Sequence, residues 1–169
     1  MNYGTQLYDH GFLKYADPTK LDTLKTALID SFDIYEDDNN KIVHIDAEEL
    51  AECSFEFFMT DLNRILKKRG FELNVRTADN YEATCNILIN GNSIQLYREA
   101  ELADHTFWES APSNFFKEIN RQLSAAKISE SFYLLYGGND LHAMLLTESQ
   151  YEIIAEKYSG NSKECPYAP

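Results

Sequence analysis

The chain has 169 residues, 44% of them hydrophobic, which is the length of one ordinary domain with enough apolar side chain for one substantial core. Its 28 acids against 15 bases leave a formal charge of −13, an excess that repels phosphate backbones and anionic lipid and so argues against nucleic acid or a membrane surface as partner. No stretch approaches the roughly 18 apolar residues needed to span a bilayer, and Met1 to Gly11 lacks the basic-then-apolar order of a signal peptide.

Eleven Tyr, ten Phe and one Trp, together with clear apolar periodicities, favour a folded chain over an acidic disordered one. Cys53, Cys85 and Cys165 form no C-x-x-C pair and read as free thiols in a reducing compartment, so the expected location is cytoplasmic.

An aromatic opening segment leads to Asp17-Pro18, a cap followed by proline, which predicts a helix start there. Leu21, Leu24, Leu28 and Phe32 give that helix one apolar stripe ending near residues 31 to 33. An acidic loop follows, then a short strand over residues 41 to 45. Asp46 and Glu49 form a D-x-x-E capping signature, and Leu50, Cys53, Phe57, Leu62 and Ile65 keep a helical period until Gly70, predicting one long helix. Strands are expected over residues 71 to 77, 83 to 89 and 93 to 97, with Asn90-Gly91 as a hairpin turn.

Residues 98 to 112 show no clean period and predict a loop with one helical turn, after which Ser113 caps a helix to about Lys127. A second hairpin pairs residues 132 to 136 with 141 to 146 across Gly137-Gly138-Asn139-Asp140. Thr147 and Gln150 form a capping box that opens a last helix to Gly160. The order α-β-α-βββ-α-ββ-α predicts an α+β fold, with a mainly antiparallel sheet of five to six strands and helices on one face. One domain is expected over residues 1 to 160, with residues 161 to 169 as a flexible tail.

Candidate chemistry is sparse. Glu101, Asp104, His105 and Glu109 are the only compact metal-ligand cluster, and if the segment is helical His105 and Glu109 share a face; a solvated acidic turn is the commoner use. Cys85, His105 and Asp104 contain the types needed for a thiol nucleophile, its base and an orienting group, although Cys85 falls inside an alternating strand where a small thiol fills core. A small enzyme or ligand-binding domain with a pocket around residues 101 to 109 is therefore the alternative to a binding protein. Gly137-Gly138 joins two strands and reads as a turn, and Lys67, Lys68 and Arg69 end a helix where cations complement its dipole. Neither a cofactor nor a metal is expected.

The acids are more informative. Residues 30 to 56 hold ten acids (Asp30, Asp33, Glu36, Asp37, Asp38, Asp46, Glu48, Glu49, Glu52 and Glu56) and one base, Lys41. Asp46, Glu48 and Glu49 serve the cap and first turn of a helix, where negative charge is favourable by roughly 0.3 to 1 kcal/mol each. Asp30 and Asp33 lie at a helix C-terminus, where the dipole disfavours anions, and Glu36, Asp37 and Asp38 crowd a loop tip. A solvated loop is the ordinary use of such a run; the functional one is an anionic patch facing a basic partner. Partner-binding candidates are Asp30, Asp33, Tyr35, Glu36, Asp37, Asp38, Glu52, Tyr97 and Trp108, the three aromatics as anchors.

In size, charge and architecture the chain resembles bacterial immunity proteins, such as the inhibitors of contact-dependent growth-inhibition toxins. The resemblance implies binding to a basic cognate toxin domain, often a nuclease, and occlusion of its active site or substrate surface. It carries over no individual residue.

Overall fold

Apolar alternation and tight turns build two small antiparallel sheets rather than one. The computed structural model describes residues 1–169. In chain order it contains α1 (Tyr3–Asp9), α2 (Leu21–Ser31), β1 (Ile42–His44), α3 (Ala47–Ala51), α4 (Met59–Lys67), β2 (Val75–Thr77), α5 (Tyr81–Thr84), β3 (Asn86–Ile89) and β4 (Asn92–Gln95). Then follow α6 (Glu99–Ala103), α7 (Phe107–Ala125), β5 (Glu130–Leu135), β6 (His142–Thr147) and α8 (Glu148–Lys157). The fold is α+β, with strand orders β1-β6-β5 and β2-β3-β4, both antiparallel.

The β1-β6-β5 sheet is covered on both faces, which corrects the expectation of helices on one. Val43, Phe132, Leu134, Ala143 and Leu145 enter a core of 25 buried residues that includes Ile87 and Ile89 of the other sheet and Phe115, Phe116 and Ile119 of α7. Ile42, Leu135, Met144 and Leu146, on the alternate positions, enter a second core of 13 residues with Leu7, Leu24, Leu28, Ile153 and Ile154 of α1, α2 and α8. A strand buried on both sides reads as continuous apolar sequence, as Ala143 to Leu146 does.

Several boundaries move for identifiable reasons. Asp17 accepts hydrogen bonds from the Thr19 N–H (2.9 Å) and hydroxyl (2.7 Å), closing a local turn, and α2 starts only at Leu21. The unpredicted α1 is capped by Asn2, whose side chain accepts from the Thr5 N–H. Gly4 lets α1 lie directly on α2, since a Cβ there would stand 2.1 Å from the Leu28 carbonyl oxygen.

The expected long helix is broken. Asp46 does cap α3, accepting from the Glu48 and Glu49 N–H groups, but Cys53 takes a left-handed conformation (φ 60°) and turns the chain. Phe55 and Phe58 thereby pack on Phe115, with ring centroids 6.2 Å away in each case, while Phe57 is left 65% exposed. Cys85 is likewise left-handed (φ 56°) at the end of α5, so it terminates a helical turn instead of alternating within a strand. Helix α7 begins at Phe107, six residues before the expected cap, with Pro112 in its second turn. The chain beyond α8, expected as a flexible tail, pairs with the edge of β5: the Tyr167 and Leu134 peptides exchange two hydrogen bonds of 2.8 Å.

One polar cluster lies where the two cores meet. Arg69, past the end of α4, grips the Glu130 carboxylate with two parallel hydrogen bonds of 2.8 and 3.0 Å, and Lys41 donates to the same carboxylate and to the Gln150 side chain on α8. The Lys41 and Arg69 side chains are each 1% exposed. Burial alone would raise the Glu130 carboxyl, but Arg69 and Lys41 hold it below its ordinary value of 4.5. Its share of stability is therefore complete above pH 4.5 and lost as the pH falls below it. Glu130→Ala strands two buried cations and is expected to cost about 3 to 5 kcal/mol at neutral pH. In urea titrations the variant should lose less stability than the parent on acidification below pH 4.5.

Candidate functional site

The turn from β5 to β6, residues 136 to 141, projects from the end of the β1-β6-β5 sheet opposite to Glu130. Tyr136 is held left-handed (φ 61°) there, and a short 3-10 turn over Gly138–Asp140 completes the connection. Gly138 sits at φ 59° and provides the second left-handed residue that the connection needs.

Around this turn lies an apolar cleft of about 400 Å³, walled by Trp108 and Pro112 of α7, Leu134, Tyr136, Leu141 and the tail residues Tyr167 to Pro169. Pro112 has no N–H to donate to the Trp108 carbonyl, and the Phe107 and Trp108 rings pack with centroids 4.5 Å apart in the first turn of α7. Trp108, Tyr136 and Tyr167 are 37%, 36% and 44% exposed, three of the seven large apolar side chains that face solvent. Convergence of three exposed aromatics on one cleft is unusual for a surface that binds nothing.

Tyr136 also walls an adjoining hollow of about 210 Å³ with Tyr35, Asp37, His44 and His142. His44 and His142 are cross-strand partners with ring centroids 4.9 Å apart. The Nε2–H of His44 donates to the Asn139 carbonyl (2.6 Å) and the Nδ1–H of His142 to the Asp140 carbonyl (2.7 Å), which fixes the orientation of each ring. Glu164 accepts from the hydroxyls of both Tyr35 (3.2 Å) and Tyr136 (2.7 Å), and Tyr167 donates to the Tyr136 carbonyl (2.6 Å). Burial pushes the Tyr136 and Tyr167 hydroxyls upward, aided by Glu164 and Glu109 respectively, so both stay neutral donors. Glu109, Asp37 and Asp140 line this face, and no lysine or arginine does.

The structure distributes the sequence candidates unevenly. Tyr35, Asp37 and Trp108 come together through Tyr136, which is shared by both hollows. Tyr97 is 8% exposed, with its hydroxyl 3.1 Å from that of Tyr81, so it is a core residue and not a surface anchor. Asp38 is engaged by Lys20 at 2.6 Å, and Asp33 accepts from the Tyr35 N–H. Asp30 lines a separate hollow beside Lys157, while Glu36 and Glu52 are exposed and line neither the cleft nor its neighbour.

Cys85, Asp104 and His105 donate their backbone N–H groups to the Tyr81, Ala100 and Leu102 carbonyls and not to one another. His105 instead stacks on Trp108, centroids 6.3 Å apart. Glu101 is held by the Arg98 backbone and side chain, and the surrounding His and acids form no group of three or more suited to a metal ion. Tyr136 and Tyr167 were missed because a tyrosine beside Gly-Gly and one near the chain end carry no signal until the tail is folded against β5. Comparison with protein-family models, curated proteins and solved structures gives no match.

Trp108 is the only tryptophan, so its emission reports this face alone. Removal of residues 166 to 169 takes away one wall of the cleft; the expected outcome is a red shift of Trp108 emission with the far-ultraviolet circular dichroism retained.

Proposed function

We propose that this chain is an acidic binding protein that neutralises a basic protein partner, in the manner of the toxin-immunity proteins it resembles, by covering the partner's active site or substrate surface. The observation that carries the reading is the convergence of Trp108, Tyr136 and Tyr167 on one cleft whose charged lining is acidic. Aromatics supply large contact area at low entropic cost and attract Lys and Arg side chains through their ring faces. The −13 net charge draws a basic partner in from a distance, and Glu109, Asp37 and Asp140 orient it at short range.

The test starts from the wild-type chain as bait in its native host, followed by separate production of the captured protein. A basic protein that is toxic when expressed without this chain is the expected partner. Trp108→Ala and Tyr136→Ala should each weaken binding by about 2 kcal/mol, roughly 30-fold in Kd, with little change in thermal stability. Asp37→Asn with Glu109→Gln should slow association and leave dissociation almost unchanged. An acidic partner, or full affinity after both aromatic truncations, overturns the reading.

A further inference from the structure

The opposite end of the β1-β6-β5 sheet has the reverse electrostatic character. A cavity of about 520 Å³ opens there, lined by Lys14, Lys41, Arg69 and Lys127 with Glu130 as the only acid. Four of the chain's 15 bases thus surround one space in a protein of charge −13. We propose that this cavity is a binding site for a small phosphate-bearing molecule.

The argument begins with charge balance. Lys41 and Arg69 are both 1% exposed and share one carboxylate, so the interior carries a positive charge that no buried acid offsets. Buried charge without a counter-ion is costly, and an anion in the cavity supplies one. The donors are also incomplete. Arg69 uses its fork on Glu130 and the Asn40 and Ile65 carbonyls, whereas the Lys41 ammonium has three N–H groups and spends two, on Glu130 and Gln150.

Lys14 and Lys127 stand exposed at the rim without ion-pair partners. With Glu130 the only acid among four bases, the lining carries an excess of positive charge that suits a phosphate dianion more than a singly charged carboxylate. The start of α8 and the end of α7 both lie at the wall, and each is capped, the first by the Thr147–Gln150 box and the second by the Ala126, Lys127 and Ile128 N–H groups, so the side-chain cations dominate the field in the cavity. Burial holds the Lys41 ammonium down to about 8, and a bound dianion would raise it. The volume falls in the range of small-molecule sites and exceeds what inorganic phosphate fills.

The full chain would be titrated with inorganic phosphate and, separately, with phenyl phosphate, at ionic strength matched with chloride and followed by amide chemical shifts. Saturable binding is expected, with shifts centred on Gly11, Ser129, Glu130 and Thr147, which line the cavity. Tighter binding of phenyl phosphate would indicate a phosphomonoester as the natural ligand, and equal binding would indicate free phosphate. Because Lys41 is buried in the ion network that holds the fold, the variant is Lys14→Ala with Lys127→Ala, both at exposed positions. It should bind at least about tenfold more weakly. Absence of saturable binding, shifts located elsewhere, or unchanged affinity in the double variant overturns the site.

Discussion

The bidentate bond between Arg69 and Glu130, completed by Lys41, is the constraint around which the rest of the molecule is arranged. Lys41 precedes β1, Glu130 opens β5, Arg69 follows α4 and Gln150 belongs to α8. Glu130 lies on, and Lys41 immediately precedes, a strand of the sheet that separates the 25-residue core from the 13-residue core. Displacing Lys41, Arg69 or Glu130 leaves a charge unpaired in a low-dielectric interior, and that penalty selects one packing of the sheet against its helices. Asn40 extends the network: it is left-handed (φ 53°), its side chain bonds the Tyr15 carbonyl and Arg64, and its own carbonyl accepts from Arg69.

Fixing one end of β5 and β6 fixes the other. Glu130 and Thr147 are paired at one end of the hairpin and Leu135 and His142 at the other, where the chain turns through Tyr136. A rigid scaffold thereby presents the aromatic cleft on a short connection. The two ends divide the charge of the chain between them. Cations gather around the cavity beside Glu130, and acids without cations line the face around Tyr136. A net charge of −13 conceals this division, because it sums a cationic interior site with a larger anionic surface.

Local stop and start signals were legible in the sequence wherever the chemistry was local. The Thr147 and Gln150 capping box, the Asp46 cap, the Asn90-Gly91 turn and the Gly70 stop all stand where their residue types place them. Two of the larger errors share one cause. Cys53 and Cys85 adopt positive φ, a conformation expected of Gly, Asn or Asp. Tertiary packing imposes those turns, and neither propensity nor period reveals them. The break at Cys53 cost the long helix its continuity, and the turn at Cys85 replaced half of an expected strand. Of the candidate site, Trp108, Tyr35 and Asp37 were legible as an aromatic or an acid without local work to do. Tyr136, Tyr167 and the cationic cavity depend on contacts between residues up to 140 positions apart, such as His10 with Gln150, which no window of sequence contains.

Hydrogen exchange of the chain, alone and in the complex isolated from its native host, tests most directly whether the aromatic end of the sheet is the binding face. The amides of residues 106 to 111, 135 to 142 and 165 to 168 should exchange more slowly in the complex, with those of α4 and β2 unaffected. Protection confined to the surface around Glu52 and α4, with Tyr136 and its neighbours exchanging as in the free chain, would contradict the account.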